Sequence, residues 1–354
     1  MECIRRAGRS GIATACIVVV LAGCASQTIA PGLETAPPAA LVTIEDAGVR
    51  DLRGSYRAAT CGRLPADAPA CDDVLLHLPG EIPAAVPNLP ADLPQRYRIA
   101  FVPGFLSECF DRYAQPFADA QRALKAEGFT VDYFRVPGRG TSAENAHKLA
   151  EHFAALDSDP RPIILFAYSK GLPDTLEFVV RHPAAARRIA AVVSVAGAVN
   201  GSPLADDLAA AYRELASGFP LPGCAPGSGQ EIHDLRRDVR LEWWRVNRQA
   251  VTVPVFALVA APRPDRVSPA TRLTYDRLAR LDPRNDGKLL AQDQIVAGGY
   301  LLGYANADHW AVAVPLGEAL PSWSILYRDN VPRPALVRAA IDVVAQTLGA
   351  PPGK

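Results

Sequence analysis

Residues Ala167-Tyr168-Ser169-Lys170-Gly171 follow an unbroken apolar run, Ile163-Ile164-Leu165-Phe166, and precede a helix-compatible stretch at 172–181. A serine between small residues at such a junction constrains the fold strongly. The turn must be sharp, strand and helix must approach closely, and the hydroxyl then stands clear of the backbone where a base can reach it. The competing reading of the same five residues is a serine that only caps the next helix. The rest of the chain has to decide between them.

Along the chain, short apolar segments alternate with amphipathic ones. Strands are expected at 49–60, 73–78, 97–102, 129–136, 161–168, 188–196 and 253–260, with a last one inside 294–304. Helices are expected at 114–127, from 142 to about 156, at 172–181 and at 334–348. Gly128 stands where a helix-ending glycine belongs, and Thr141 with Glu144 has the spacing of a capping box. Alternation of this kind predicts an α/β domain, a mostly parallel sheet covered by helices on both faces. No internal repeat is evident.

The 354 residues are 49% hydrophobic, enough for one large core, and carry 37 basic against 37 acidic side chains. With no basic block in the body of the chain, nothing favours nucleic acid as a partner. The N-terminus differs from the body. Arg5, Arg6 and Arg9 precede an apolar run at 11–22 that closes as Leu21-Ala22-Gly23-Cys24. The run is too short for a bilayer core of about 30 Å but fits an export signal. It resembles a bacterial lipoprotein signal, which implies removal of residues 1–23, acylation of Cys24 and a lipid-anchored place in the cell envelope. In that resemblance, Ala25 is compatible with outer-membrane sorting. The alternative is a plain secretory signal with an incidental cysteine. Residues 24–45, with Pro31, Gly32, Pro37 and Pro38, read as a flexible tether.

Four further cysteines, Cys61, Cys71, Cys109 and Cys224, lie beyond the signal and Cys24. In an oxidising compartment they permit three pairings, of which Cys61–Cys71 with Cys109–Cys224 is favoured, free buried thiols being the alternative.

From about residue 50 to 350 the order of elements resembles the α/β-hydrolase fold, in its lipase and esterase branch. Three segments carry the likeness: the turn Val102-Pro103-Gly104-Phe105, the elbow Ala167 to Gly171, and the late pair Asn285-Asp286-Gly287 and Asp308-His309-Trp310. The family's order of nucleophile, acid and base implies Ser169, Asp286 and His309, with the backbone N–H groups of Phe105 and Lys170 receiving the oxyanion. Of six histidines, only His182, His233 and His309 follow Ser169. His182 ends the helix that starts at the site and His233 falls in a cap, which leaves His309. Asp265, after the strand at 253–260, is the rival acid, and Asp308 is expected to brace the loop.

Two departures stand out: Ala167 replaces the elbow's first glycine, and Pro103 replaces the histidine common before the oxyanion glycine. Both leave the main-chain donors in place. The Lys170 side chain is expected to point to solvent, the alternative being a positive potential favouring anionic esters. Tyr168 either lines an acyl pocket or packs the elbow.

Residues 198–251 read as a cap insertion. Leu204, Leu208, Ala211 and Leu215, then Ile232, Leu235 and Val239 before Trp243-Trp244, fall at helical spacing. Such a face suits a lid over a greasy substrate or an ordinary packed helix. The resemblance implies a serine hydrolase cleaving lipid or other acyl esters through an acyl-enzyme, without metal or cofactor. Acyl transfer, amide hydrolysis and a non-catalytic envelope scaffold are the alternatives, and the oligomeric state is not read.

Overall fold

A computed structural model of the protein describes residues 48–349 apart from 88, 112, 157–158 and 208–224. Cys24, the tether at 24–45, Cys224 and the helical positions Leu208, Ala211 and Leu215 lie outside the described residues.

Seven strands form one all-parallel sheet in the order β1-β7-β6-β5-β4-β2-β3. They are β1 Arg50–Asp51, β2 Arg98–Val102, β3 Val131–Tyr133, β4 Ile163–Tyr168, β5 Ile189–Val195, β6 Val255–Ala260 and β7 Tyr300–Ala305. Every residue of β2, β4 and β6 is buried. That is why β4 and β6 read as continuous apolar runs without alternation, since helices cover both faces. The principal long helices are α1 Arg53–Cys61, α2 Ala118–Ala126, α3 Ser142–Ala155, α4 Gly171–Arg181, α5 Arg237–Asn247, α6 Arg272–Ala279 and α7 Arg333–Leu348.

The pleat of β4 sorts its side chains between two cores. Ile164, Phe166 and Tyr168 join Tyr56 of α1, Leu124 of α2 and Leu336 and Ile341 of α7 on one face. Ile163, Leu165 and Ala167 join Leu149 and Phe153 of α3 and Leu172 and Leu176 of α4 on the other. Ser169 therefore emerges at the carboxyl end of a central strand gripped from both sides. The expected α/β architecture is the one observed.

Local expectations fared unevenly. The Thr141 hydroxyl accepts from the Glu144 N–H while the Glu144 carboxylate accepts from the Thr141 N–H, completing the capping box that starts α3. Gly128 has φ +90° just past the end of α2. The segment 49–60 is not a strand, because only Arg50 and Asp51 pair with β7 and the chain turns into α1 at Arg53. Tyr56, Ala59 and Thr60 are buried at helical spacing, and the Tyr56 hydroxyl donates to the Leu336 carbonyl of α7.

Residues 73–78 are not a strand either. Cys71–Val74 is a short helix, and Leu75 makes a single antiparallel bridge to Ala305. One side of the six-residue strand β7 is thus shared, with Tyr300–Leu301 paired to β1 and Ala305 bridged to Leu75. Neither segment has room for a full ladder. The Cys61–Cys71 disulfide ties α1 to that short helix, as expected. Cys109 is disulfide-bonded as well.

Candidate active site

Ser169 sits between β4 and α4 with φ +54°, a left-handed conformation that costs a non-glycine residue of order 1 kcal/mol or more. The strain persists because the surroundings over-determine it. The Ser169 N–H donates to the Val195 carbonyl of β5, and its carbonyl accepts from Leu172 and Ala198. Two glycines admit neighbouring backbone. A Cβ on Gly104 would fall 2.8 Å from the Ser169 Cβ, and one on Gly171 would fall 2.5 Å from the Pro103 carbonyl oxygen. The turn after β2 and the elbow after β4 are therefore nested at van der Waals limits. The Ala167 methyl, which replaces a glycine, is fully buried against the α3–α4 side of the sheet.

Three side chains from distant segments converge here. The Ser169 hydroxyl lies 2.8 Å from His309 Nε2, and His309 Nδ1 lies 2.7 Å from Asp286 Oδ2. Asp286 is wholly buried, yet its lone pairs are answered. Its Oδ1 accepts from the N–H groups of Lys288 and Leu289 at 2.8 and 2.7 Å, and its Oδ2 also accepts from Gln294 Nε2 at 3.3 Å. A carboxylate held this way stays fixed at the Nδ1 edge of the imidazole. Gly287, at φ +88°, closes the turn that presents it.

The imidazole is held from behind as well. The His309 N–H donates to the Asp286 carbonyl at 2.9 Å, and its carbonyl accepts from the Tyr168 hydroxyl at 2.8 Å. Tyr168 thus packs the elbow and braces the histidine. Burial, then the nearby charges of Asp286 and Asp308, push its phenol well above the usual range, so it serves as a neutral donor. Asp308 braces the loop, accepting from Ser268 and Thr271 through Oδ2 and from Trp310 and Ala311 through Oδ1. Asp265 lies exposed on the turn Pro264–Arg266 and makes no contact with His309.

Lys170 does not point to solvent. Its side chain is 1% exposed, and Nζ binds Asp174 Oδ1 and Oδ2 at 2.7 and 2.9 Å. The ammonium is consumed by an internal ion pair, which removes the alternative of a free positive potential at the mouth. Burial raises the Asp174 carboxyl above its ordinary range, and the adjacent ammonium and the Asn145 amide oppose that rise. The Lys170 backbone N–H meets no acceptor among the described residues and begins the α4 N-terminus, whose dipole favours negative charge.

Sequence reasoning missed Gln294. It donates to the Ala260 carbonyl and accepts from the Ala260 N–H, at 3.0 and 2.7 Å, while reaching Asp286. The turn that carries Asp286 is thereby keyed to the end of β6. A lone glutamine in a short 3₁₀ segment carries no signal of this, because the contact joins positions 34 residues apart.

The segment 198–251, where the sequence suggests a cap, leans on the turn after β2. Phe105 packs with Ala205, Ile232 and Leu235, and Leu204 packs with Leu278 and Leu290. In α5, Val239 is only partly buried and Arg240 is the one buried residue, while Trp243 and Trp244 pack, partly buried, against the core beside α3 and α4. Among the described residues, no group of three or more His, Cys, Asp or Glu side chains is placed to hold a metal ion.

The molecule is similar to the metagenomic carboxyl esterase MGS0156, with 35% identity and a TM-score of 0.77 over 88% of this chain and 97% of that one. It is also similar to the propeptide form of the Bacillus licheniformis lipase BlEst2. There the identity is 19% and the TM-score 0.53, over 72% of this chain and 51% of that one, a likeness of fold. No protein-family model and no curated protein matches the chain.

Proposed function

Because the chain belongs to the carboxyl esterases of the α/β-hydrolase fold, we propose that it hydrolyses carboxylic acyl esters with Ser169 as nucleophile, His309 as general base and acid, and Asp286 as the orienting carboxylate. The observation that carries this reading is the pair of contacts at 2.8 and 2.7 Å through one imidazole, made to a serine held at φ +54°.

Serine is a weak nucleophile near neutral pH, so His309 Nε2 takes its proton as Oγ attacks the ester carbonyl carbon. The carbonyl π electrons move to oxygen, where the Lys170 and Phe105 N–H groups receive the charge. Each such donor, when lost, costs about 3–4 kcal/mol of barrier. The tetrahedral adduct collapses, the bond to the alcohol oxygen breaks, and His309 returns its proton to the departing alcohol. Water, deprotonated by the same imidazole, then attacks the acyl-serine, releasing the carboxylic acid and restoring Ser169. Asp286 keeps the Nδ1–H tautomer and stabilises the imidazolium without itself taking a proton.

The same reading extends to the cell envelope. The basic start, the short apolar run and Leu21-Ala22-Gly23-Cys24 support cleavage before Cys24 and lipid attachment there, with residues 24–45 as a tether to the hydrolase domain. Among the described residues no helix is long and apolar enough to cross a membrane.

A fluorophosphonate probe is expected to label the wild-type chain once per molecule and to leave Ser169→Ala unlabelled; labelling that survives the substitution would overturn the assignment. Nitrophenyl esters of graded acyl length, assayed on the body starting near Gly32, define the acyl preference. In a host that processes lipoproteins, Cys24→Ala is expected to move the protein from the membrane to the soluble fraction; an unchanged distribution sinks the anchor.

A further inference from the structure

Beneath the elbow lies a buried polar chain that the hydrolytic mechanism does not use directly. Lys170, Asp174 and Asn145 are each about 1% exposed. Asp174, on the first turn of α4, accepts from Lys170 Nζ through both carboxylate oxygens and from Asn145 Nδ2 through Oδ2 at 2.7 Å. The Asn145 amide, which arrives on α3, also donates to the Pro137 carbonyl at 3.1 Å. Pro137 opens the loop Pro137-Gly138-Arg139-Gly140, whose Gly138 carbonyl accepts from the Leu106 N–H at 3.0 Å. The fit there is tight, since a Cβ on Gly138 would fall 2.9 Å from the Leu106 backbone.

The two main-chain donors assigned to the oxyanion sit at the two ends of this chain. One belongs to Lys170 itself. The other belongs to Phe105, between Gly104, which is pressed on Ser169, and Leu106, which is held by Gly138. We propose that the Lys170–Asp174–Asn145 bridge is a positioning device that sets the distance between the two oxyanion donors by tying the elbow and the turn after β2 to one buried carboxylate. The inference rests on the reading of Ser169 as nucleophile.

Physical chemistry favours positioning over stability as the role. A buried ion pair is a poor source of net stability, because desolvation of both charges offsets their attraction, and well-packed apolar replacements are often neutral. What it supplies is direction. Lys170 is tied to a carboxylate that Asn145 also holds, which restricts where its backbone settles. Donor placement matters, because a preorganised dipole acts only where the charge develops.

Two variants separate positioning from packing. Asn145→Ala cuts the tie to the 137–140 loop and leaves the ion pair intact. Lys170→Met combined with Asp174→Leu removes both charges together and strands neither. For each, kcat on a nitrophenyl ester is expected to fall roughly 10- to 100-fold, less than the 10²–10³-fold cost of losing one donor outright. KM is expected to stay within about twofold, and the affinity for a boronic acid transition-state analogue should fall by the same factor as kcat.

Asn145→Leu, similar in size but unable to donate, should fail to restore the rate, whereas Asn145→Gln should recover part of it. Near-wild-type kcat in folded Asn145→Ala, or in the folded double variant, overturns the proposal. So does a rate loss matched by an equal loss of fluorophosphonate-titratable sites with unchanged analogue affinity. Ser169→Ala run alongside distinguishes the two levels. Retained activity there defeats the hydrolase assignment, while an inactive Ser169→Ala beside fully active bridge variants defeats only the bridge.

Discussion

Two helices that flank the site differ sharply in how they are held. In α4, which starts at the serine elbow, nine of eleven residues are buried, from Gly171 to Val179. In α5, which belongs to the cap, one of eleven is buried, Arg240. The first is fixed by apolar packing on the sheet and by an internal ion pair. The second rests Trp243 and Trp244, partly buried, on the core beside α3 and α4, and is otherwise held by polar contacts: Arg237 to Asp293, Trp243 Nε1 to Glu177, and, just before it, the Ser142 N–H to Asp234. Ser169 is mounted at the start of an element that cannot shift without opening the core, whereas α5 is fastened largely by polar groups near the surface. A precisely placed side chain needs the former, and a surface segment tolerates the latter.

The largest test of this contrast is chemical. Asp286→Asn is expected to lower kcat/KM about 10³- to 10⁴-fold, since the imidazole loses its orienting charge, while Asp265→Asn stays within about twofold. Steady-state kinetics on one ester decides it, and a large loss in the Asp265 variant alone would relocate the acid to the loop after β6.

A smaller effect probes packing. Leu176, wholly buried on α4, contacts the sheet core, so Leu176→Ala is expected to cost about 2–5 kcal/mol in denaturant unfolding. Val246 on α5 is 61% exposed, and Val246→Ala should stay within about 0.5 kcal/mol. Equal losses would erase the distinction between the two helices.

The smallest expected effect concerns the cap fastening. Burial pushes the Asp293 carboxyl up to about 7, against the pull of Arg237, while Asp206 and Asp282 add to the rise. A carboxyl whose folded value lies above its unfolded one binds protons more tightly in the folded state. Its contribution is therefore greatest in acid and declines as pH rises from about 4 to about 7. Asp293→Asn removes that decline. Relative to wild type, the variant should gain about 1–3 kcal/mol between pH 5 and pH 8 in paired unfolding curves. A constant difference across that range would mean that Asp293 ionises freely.

Legibility in the sequence followed the range of the interaction. The elbow, the capping box of Thr141 and Glu144 and the glycine after α2 are local patterns, each set by a few neighbouring residues, whereas the order of nucleophile, acid and base was implied by the family resemblance. The segment 49–60 was misread because Tyr, Ala and Thr suit either state, and only the fit of Tyr56 and Ala59 beneath α7 selects the helix. Lys170 was misplaced for a related reason. Lysine is usually exposed, and the carboxylate that draws it inward is itself buried by α3.

By itself, the order of residues determined a mostly parallel sheet with a serine on the sharp turn after one of its strands, because apolar periodicity and turn chemistry are written in consecutive positions. Only the folded chain decided which aspartate faces His309, that Gln294 keys the acid turn to β6, and that Lys170 lies inside. Those outcomes depend on hydrogen bonds and burial between segments tens to hundreds of residues apart. Their geometry exists only after the sheet has brought them together.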